Sequence, residues 1–512
     1  MGRLVVVSNR VAVPRRGEPP AAGGLAVALK EAFDSRGGLW FGWSGSVAPN
    51  PPDMVRHARR GRVDYAVVDL SDAAYQGFYA GYANSALWPL FHFRLGLLSY
   101  DRGQAETYRA VNRHYAEKLL PMLRRDDTIW VHDYQLIPLG AALREMGSRH
   151  RIGYFHHIPF PPWAVFSAMP GAEDLIRDLL AYDLVGVQTH RDQAGLCDCM
   201  SQGTGMKVRP GGEVRLRSRR TVLRAFPIGI DTDGFAEAAR TSVQSPEAER
   251  LRTSLVGRKL IIGAERLDYT KGLPERLRAF GALMEGWPEY RNAVTYLQVA
   301  ARSREDVESY KDLKRDIERL AGTINAEYGD VDWTPVRYVG RAVARDTLAG
   351  YYRMAPVGLV TPLRDGMNLV AKEYVAAQDP DDPGVLVLSR FAGAAEGMPE
   401  ALLVNPLDAQ GTAEALAAAL SMPLAERRER HGAIFRRLRE NTVKSWSGDF
   451  LRLLEGNDDP AEAHPPSRAA ALSMYQARLS SRSVATSSAN SPADKAGTQV
   501  ADLSTARASR AR

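Results

Sequence analysis

The sequence of 512 residues contains only two cysteines, Cys197 and Cys199. So low a count excludes a small fold held together by disulfides. The pair has the spacing C-x-C, which is not the C-x-x-C of redox and zinc sites, and no second pair accompanies it. We therefore expect both cysteines to be structural thiols.

Long apolar runs are also absent. No stretch of about 18 apolar residues occurs, so the sequence predicts no membrane span. The apolar run Leu4–Val7 is too short for the core of a signal peptide. Val6 stands where a myristoylation signal would need Ser or Thr. Together these absences predict a cytoplasmic protein.

Neither sign of charge dominates strongly. The chain has 67 Lys and Arg against 60 Asp and Glu, a net charge of +7. A basic balance is compatible with a nucleic-acid or membrane partner. A nucleic-acid binder, however, clusters its basic residues with aromatic ones on one face, whereas here the charges are dispersed. We therefore expect no nucleic acid and no membrane as partner.

What is present is the composition of a globular protein, with 45% hydrophobic and 25% charged residues. Short apolar segments alternate with helical patterns such as Leu273–Met284 and Arg304–Tyr328, which predicts parallel sheets covered by helices on both faces. Eleven strands are too many for one ordinary open sheet, so we expect an α/β protein with two doubly wound, Rossmann-like domains. The predicted strands are Leu4–Val7, Tyr65–Leu70, Thr128–Val131, Arg151–His156, Leu184–Gln188, Val222–Phe226, Lys259–Ala264, Val294–Ala300, Val336–Val339, Val357–Val360 and Val385–Leu388.

The boundary between the two domains is predicted at Phe226–Phe235, because this segment follows a strand and is rich in Pro, Gly and Asp. The first domain is then 1–230 and the second 231–440, followed by a helical segment at 441–456. The remainder, 457–512, is of low complexity and poor in large apolar residues, which predicts a disordered tail.

The segment Val357–Gln378, VGLVTPLRDGMNLVAKEYVAAQ, predicts a ligand site. Its strand leads through a turn at Pro362–Asn368 into a helix that starts near Leu369. Ligands of an open parallel sheet bind beyond the carboxyl ends of its strands, where a helix start offers free N–H groups to an anion. Gly366 allows a close backbone approach, and Glu373 offers a carboxylate to sugar hydroxyls. A solvated turn is the alternative for this segment.

A second candidate segment is Ile261–Arg276, IIGAERLDYTKGLPER. The strand ends at Ala264, and Arg266 and Lys271 follow in a turn, where the two cations can converge on one diphosphate. A surface charge cluster is the alternative. In the first half, polar residues also follow buried strands, in the segments Ser8–Arg10, Trp130–Tyr134 and His156–Pro159, and Ala22–Leu25 (AGGL) opens a helix without a dinucleotide-binding G-x-G-x-x-G pattern.

Taken in order, the motifs resemble those of the trehalose-6-phosphate synthase family. The resemblance runs from about Arg3 to Leu454, nearly the whole chain outside the tail. It implies a retaining glycosyltransferase of the two-domain GT-B fold, in which the last helix crosses back to the first domain. The motifs that carry it are SNRVA, AGGL, LWFGWSG, LWPLFH, VHDYQL, HHIPFP, ERLDYTKGLPER and TPLRDGMNLVAKEYVAAQ.

The resemblance implies transfer of glucose from UDP-glucose to glucose 6-phosphate, giving α,α-trehalose 6-phosphate and UDP. The residues it assigns to catalysis are Arg266, Lys271, Asp365 and His157. The donor site is implied to comprise Gly23, Gly24, Arg266, Lys271, Val343, Asp365, Gly366, Met367, Asn368, Leu369, Val370, Ala371, Lys372 and Glu373. The acceptor site is implied to comprise Arg10, Tyr79, Trp88, Asp133 and Arg304. Two positions depart from the family pattern: Val343 replaces a common aromatic residue, and Pro356 a frequent Asp.

Within this family, Arg266, Lys271 and the helix start replace the divalent metal of other glycosyl transfers, so the resemblance implies no cofactor and no obligatory metal. It also implies a homodimer or homotetramer and a separate phosphatase downstream, since no Asp-x-Asp-Gly-Thr phosphatase motif is present. Three alternatives stay open: a glucosylglycerol-phosphate synthase using glycerol 3-phosphate, a donor other than UDP-glucose (ADP- or GDP-glucose), and an inactive sugar-phosphate sensor.

Overall fold

The computed structural model describes residues 2–14, 29, 32–33, 36–216, 219–302 and 308–456. The described residues belong to one compact unit, Met1–Pro460. Three predicted site residues, Gly23, Gly24 and Arg304, lie outside the described residues, and so does the predicted tail, 457–512.

The first sheet has nine strands in the order β3-β4-β2-β1-β5-β6-β7-β9-β8. All neighbours are parallel except the two outer pairs, β3 with β4 and β8 with β9, which are antiparallel. The central strand β1 is almost entirely buried, as expected for a strand covered on both faces. The strands are β1 (Leu4–Arg10), β2 (Gly38–Ala48), β3 (Arg56–Arg60), β4 (Val63–Ser71), β5 (Thr128–His132), β6 (Arg151–Phe155), β7 (Leu184–Val187), β8 (Glu213–Leu216) and β9 (Arg219–Ala225).

The second sheet has six strands in the order β12-β11-β10-β13-β14-β15, all parallel. The order reverses direction beside β10, and a crevice for ligands forms at such a switch point. The strands are β10 (Lys259–Arg266), β11 (Val294–Ala301), β12 (Val336–Val339), β13 (Val357–Val360), β14 (Val385–Ser389) and β15 (Leu402–Val404).

All eleven predicted strands are present, with ends that differ by up to three residues. Four strands were not predicted: β2, β3, β8 and β15. The outer strands β3 (RHARR) and β8 (EVRL) are mostly polar and pair on one side only, so neither has the apolar run of a buried strand. β2 is buried but interrupted by glycine and serine, which hide its strand pattern.

Helices connect the strands and cover the sheets. None of the helices in the described part of the chain is long and apolar enough to span a membrane. The α-helices are Asp72–Ala74, Trp88–Phe91, Arg102–Leu119, Leu139–Glu145, Trp163–Phe166, Ala172–Leu179, His190–Thr204, Thr232–Ser242, Pro246–Leu255, Leu273–Gly286, Glu308–Tyr328, Arg345–Met354, Leu369–Ala377, Ala409–Ser421, Leu424–Glu440 and Val443–Glu455. Short 3-10 turns lie at Leu95–Leu97, Leu120–Met122, Tyr134–Leu136, Tyr269–Lys271, Pro288–Tyr290 and Gly393–Gly397.

One helical segment has unusual geometry. Tyr75–Leu87 forms a π-helix of 13 residues, although most π-helices are single-turn bulges. Within this helix the side chains of Phe78 and Leu87 are fully buried, and that of Tyr79 is half-buried. Because Trp88 follows directly, this segment sets the positions of two predicted acceptor-site aromatics.

The two cysteines are free thiols. Cys199 is buried, and its Sγ donates to the carbonyl oxygen of Pro161 at 3.3 Å. Burial raises the pKa of Cys199 well above its ordinary value, so the thiol stays protonated and unreactive at neutral pH. This is the behaviour expected of a structural thiol.

The last helix, Val443–Glu455, packs against the first sheet although it follows the second in the chain. The Phe450 ring is fully buried and stacks on Trp130 of β5, with ring centroids 4.7 Å apart. Glycine makes room for it: a Cβ at Gly153 or Gly186 would lie 2.7 or 2.8 Å from the Phe450 ring. The helix thus attaches the segment that follows the second sheet to the first sheet. The exact division into domains remains a prediction.

We predict that Phe450→Ala lowers the free energy of unfolding by about 3–5 kcal/mol, because a fully buried ring is removed and the two glycines beneath it cannot fill the cavity. Urea denaturation followed by tryptophan fluorescence measures the change. Leu407→Ala, at a side chain that is 70% exposed, serves as the control and should change the value by less than about 0.5 kcal/mol. Equal effects in both variants would contradict the packing role.

Candidate active site

Polar residues gather where the parallel strands of the two sheets end. In the first sheet Asp133 follows β5 and His157 follows β6, and in the second Arg266 ends β10. The two sets meet at Gly366: a Cβ at this position would lie 2.2 Å from the carbonyl oxygen of His157. Only glycine permits this approach, so Gly366 brings the loop of the second sheet against the strand ends of the first.

The loop from β13 into the Leu369–Ala377 helix has the predicted form. Asn368 adopts a left-handed backbone conformation with φ of 73°, and its Oδ1 accepts from the Ala371 N–H at 3.1 Å. The side chain therefore caps the helix, whose start at Leu369 is where the sequence predicts it. The N–H groups of Leu369 and Val370 lie in the first turn, where no intrahelical partner exists, and can face an anion.

Lys271 and Asp365, two of the predicted catalytic residues, form an ion pair. Burial alone would lower the pKa of Lys271, but the carboxylates of Asp365 and Glu265 raise it instead. Burial opposes ionisation of Asp365, and the Lys271 ammonium outweighs it and lowers the pKa of this carboxyl. Both groups are therefore charged at neutral pH, and the ammonium already has a partner in the absence of substrate.

A second buried ion pair supports the first. Arg276 is fully buried, and its guanidinium donates to Glu265 at 3.0 Å and to Thr361 Oγ1 at 3.2 Å. Glu265 also accepts from Asn368 Nδ2 at 3.0 Å, and the same amide donates to Asp365 at 3.1 Å. These contacts link β10, the Leu273–Gly286 helix and the Pro362–Asn368 loop. The loop is thus held in one geometry before any ligand binds.

Arg266, unlike Lys271, is exposed. Its guanidinium lies over the ring of Trp88, 5.9 Å from the centroid. This is a cation–π distance, and it joins a predicted donor residue of the second sheet to a predicted acceptor residue of the first. The remaining faces of the guanidinium are open to a ligand.

Arg10 and Tyr79, two further predicted acceptor residues, share Trp43 of β2. The Arg10 guanidinium lies 6.0 Å from the Trp43 ring centroid, and the Tyr79 ring lies 5.7 Å from it. Gly45 makes the space for the arginine, since a Cβ there would lie 2.7 Å from Arg10 Nε. Trp43 lies in the LWFGWSG motif, but it was not among the predicted site residues.

Asp133 has φ of 77°, an unusual value for a residue with a side chain. Its carboxylate accepts from the backbone N–H of Tyr134 at 3.0 Å and of His157 at 3.3 Å. These bonds hold the turn after β5 and fix His157 beside it. The His157 ring in turn forms a hydrogen bond with His132, Nε2 to Nδ1, at 3.0 Å.

Glu373 belongs to neither of the two ion pairs Lys271–Asp365 and Arg276–Glu265. Burial raises the pKa of Glu373 to about 6, although Arg345, 3.6 Å away, acts in the opposite direction. Val343, two residues before Arg345, is half-buried and packs on the core. Lys372 is buried, and its ammonium donates to the carbonyl oxygen of Ile228 in the segment after β9. Its place in the donor site stays a prediction.

The structure therefore brings together most of the predicted residues that it describes, through Arg266 with Trp88, Lys271 with Asp365, and His157 with Gly366. Met367 and Ala371 contribute backbone, since their side chains are buried. Sequence reasoning did not assign the supporting residues Glu265, Arg276 and His132, although all three lie within the motifs ERLDYTKGLPER and VHDYQL. In the described part of the chain no three His, Cys, Asp or Glu side chains gather to hold a metal ion.

Comparisons with known proteins show the family to which the chain belongs. The model of glycosyltransferase family 20 matches residues 3–456. The chain belongs to glycosyltransferase family 20. A trehalose-6-phosphate synthase of Sinorhizobium fredii is 49% identical over 462 residues, which cover 90% of this chain and 99% of that protein.

Solved structures of similar proteins place this family-20 member in the GT-B fold, which confirms the predicted fold class. An α,α-trehalose-phosphate synthase (UDP-forming) from Burkholderia xenovorans, in complex with glucose-6-phosphate, has a TM-score of 0.85 and 47% identity, covering 88% of this chain and 100% of its own. An E. coli structure bound with UDP-2-fluoro glucose has a TM-score of 0.84 and 43% identity, covering 88% of this chain and 99% of its own.

The half-buried Glu373 of this glycosyltransferase gives a testable pH dependence. Its pKa of about 6 in the folded state exceeds the ordinary value of 4.5, so ionisation opposes folding as the pH rises between the two. We predict that Glu373→Gln raises the free energy of unfolding at pH 8 by about 1–2 kcal/mol, and that the gain falls to less than half of this at pH 5.

Urea denaturation at pH 5, 6, 7 and 8 measures this difference. Glu106→Gln, at a side chain that is 69% exposed, is the matched control and should leave the stability unchanged at every pH. A Glu373→Gln variant that is less stable than the parent at pH 8 would show that the carboxylate is favourably solvated in the folded state.

Proposed function

We propose that this chain transfers glucose from UDP-glucose to glucose 6-phosphate with retention, and so acts as a trehalose-6-phosphate synthase. The observation that carries the proposal is the contact of Arg266 with Trp88, because it joins a diphosphate-binding cation to an aromatic wall across the two sheets. A transferase needs such a junction, since its two substrates must react in one cleft. The named relatives and the bound ligands of their structures support the same reading.

On the donor side, Arg266, Lys271 and the start of the Leu369–Ala377 helix would hold the diphosphate. Arginine offers a planar fork, lysine a point charge, and the helix start two free N–H groups. Asp365 holds the lysine ammonium in place until the diphosphate arrives. Glu373, four residues after Leu369, would then accept hydrogen bonds from the ribose hydroxyls.

On the acceptor side, Arg10 would bind the phosphate of glucose 6-phosphate. Trp43 lies beside its guanidinium, and Gly45 makes room for it because it lacks a side chain. Tyr79 would supply aromatic surface of the kind that stacks on a sugar ring, and Asp133 a carboxylate for its hydroxyls. Trp88 is almost wholly buried and would form the wall behind them. A similar structure from Burkholderia xenovorans is a complex with glucose-6-phosphate, which supports the proposed acceptor over glycerol 3-phosphate.

We propose a same-face substitution as the mechanism. The bond from glucose C1 to the UDP oxygen breaks while the acceptor hydroxyl oxygen bonds to C1, and the hydroxyl proton passes to the departing UDP oxygen. The protein contributes position and charge rather than a nucleophile. Correct positioning of two reactants can lower a barrier by about 7–11 kcal/mol, and one preorganised charge donor by roughly 3–4 kcal/mol.

Other features of the proposal follow the family. We expect a homodimer or homotetramer in the cytoplasm, no obligatory metal, and a separate phosphatase that removes the phosphate from the product. Arg266 and Lys271 would supply the positive charge that a divalent cation supplies elsewhere. An inactive sensor is the weaker reading, because it would have no use for the supported ion pair of Lys271 and Asp365.

The central prediction concerns which pair of substrates releases the most nucleoside diphosphate. UDP-, ADP- and GDP-glucose are each combined with glucose 6-phosphate, glycerol 3-phosphate and buffer alone, with and without EDTA. We expect the largest release from UDP-glucose with glucose 6-phosphate, unchanged by EDTA, and a product that trehalase cleaves after phosphatase treatment. Preference for glycerol 3-phosphate would favour the alternative synthase, and no release with any pair would favour the sensor.

Removal of either diphosphate cation should slow the reaction without unfolding the protein. We predict that Arg266→Ala or Lys271→Ala lowers kcat by about a hundredfold or more, because each removes a preorganised charge donor. Arg278→Ala is the matched control, since this nearby arginine is 47% exposed and pairs with Glu275 and Asp316 away from the loop. Near-normal turnover in the first two variants would exclude their role.

A further inference from the structure

The histidine pair at the carboxyl ends of β5 and β6 joins a predicted catalytic residue, His157, to a residue without an assigned role, His132. His132 ends β5, and His157 stands two residues after β6, its parallel neighbour. The distance from His132 Nδ1 to His157 Nε2 is 3.0 Å, that of a good hydrogen bond. The rings stack at 25° with centroids 5.3 Å apart. Both orientations are therefore fixed.

Both rings are neutral at physiological pH. Burial lowers the pKa of His157 to about 3, and burial together with the neighbouring His157 ring lowers the pKa of His132 well below its ordinary value. In a hydrogen bond between two neutral imidazoles one nitrogen donates and the other accepts. The pair therefore has two possible arrangements, which differ in the nitrogen of His157 that carries the proton.

The surroundings of His132 distinguish the two arrangements. Its second nitrogen, Nε2, is enclosed and has no hydrogen-bond partner among the described residues. The Trp130 ring lies 4.5 Å from the His132 ring, and the Trp446 ring 6.5 Å. A buried N–H without a partner is rarer in proteins than a bare acceptor. The arrangement that leaves no orphan donor puts the proton of His132 on Nδ1.

His132 then donates to His157 Nε2, and His157 must carry its own proton on Nδ1. His157 is half-buried, and its Nδ1 is not among the enclosed atoms. Its backbone touches Gly366 of the donor loop, and Asp133 holds its N–H. We infer that His132 is a positioning residue that fixes His157 as the Nδ1–H tautomer, so that His157 presents a permanent hydrogen-bond donor to an oxygen of the bound sugar nucleotide.

The tautomer can be measured without any activity. Long-range proton–nitrogen spectra of the full chain labelled with 15N-histidine show which nitrogen of each ring is protonated, and the His157 signal is the one lost in His157→Gln. We expect a protonated Nδ1 and a bare Nε2 for His157 at pH 8. A protonated Nε2, or an average of the two tautomers, would overturn the inference.

Variants of His132 test the positioning role. In His132→Asn the side-chain amide takes the position of the His132 Nδ1 atom, and in His132→Gln it takes the position of Nε2. In His132→Phe an aromatic ring remains, but it has no nitrogen. We expect His132→Asn to keep the His157 tautomer, and His132→Gln and His132→Phe to lose it. His57→Phe, at an exposed histidine of β3, controls for the assay.

The kinetic arm rests on the proposed function, whereas the spectra do not, so the two can fail separately. We expect kcat/KM for UDP-glucose to fall by about tenfold in His132→Phe and His132→Gln and to stay near that of the parent in His132→Asn, with the KM for glucose 6-phosphate unchanged. Thermal unfolding shows that each variant is folded. If His132→Asn is impaired as strongly as His132→Phe, the hydrogen bond does not matter and the inference is wrong.

Discussion

The ion pair between Arg276 and Glu265 is the interaction on which the candidate active site depends. Both side chains are almost wholly buried, so each charge requires the other. Glu265 holds Asn368 as well as the arginine, and Asn368 both caps the Leu369–Ala377 helix and contacts Asp365. One buried carboxylate therefore fixes the helix start and the loop before it.

The second constraint is that two sheets must present their strand ends to one cleft. Parallel strands place all their carboxyl ends on one edge, and the two edges here meet where Gly366 touches His157 and Arg266 covers Trp88. The last helix reinforces this arrangement, because Val443–Glu455 returns to the first sheet after the second is complete. Catalysis across the cleft thus rests on backbone contacts as much as on charged side chains.

Much of the fold could be predicted because buried parallel strands leave a clear signal, a short apolar run such as Val357–Val360 that ends in glycine, proline or charge. The missed strands lack it: Arg56–Arg60 is polar and lies at an edge, where only one neighbour orders it. For the site, the residues at strand ends could be found by position, and the roles came from long ordered motifs. The role of Arg276 as a buried support could not be predicted, because an arginine in a helix is usually solvated.

By itself the sequence determined the alternation of strands and helices, the position of the loop and helix start at Asn368, and the family, since these depend on local pattern and on ordered motifs. Only the tertiary structure decided which buried groups face each other: Lys271 pairs with Asp365, and Arg276 with Glu265. Likewise, Lys372 donates to the carbonyl oxygen of Ile228, and His132 bonds His157. The reason is physical. Buried groups pair when folding brings their segments together, and the partners here are 11 to 144 residues apart in the sequence. No local pattern encodes such pairs.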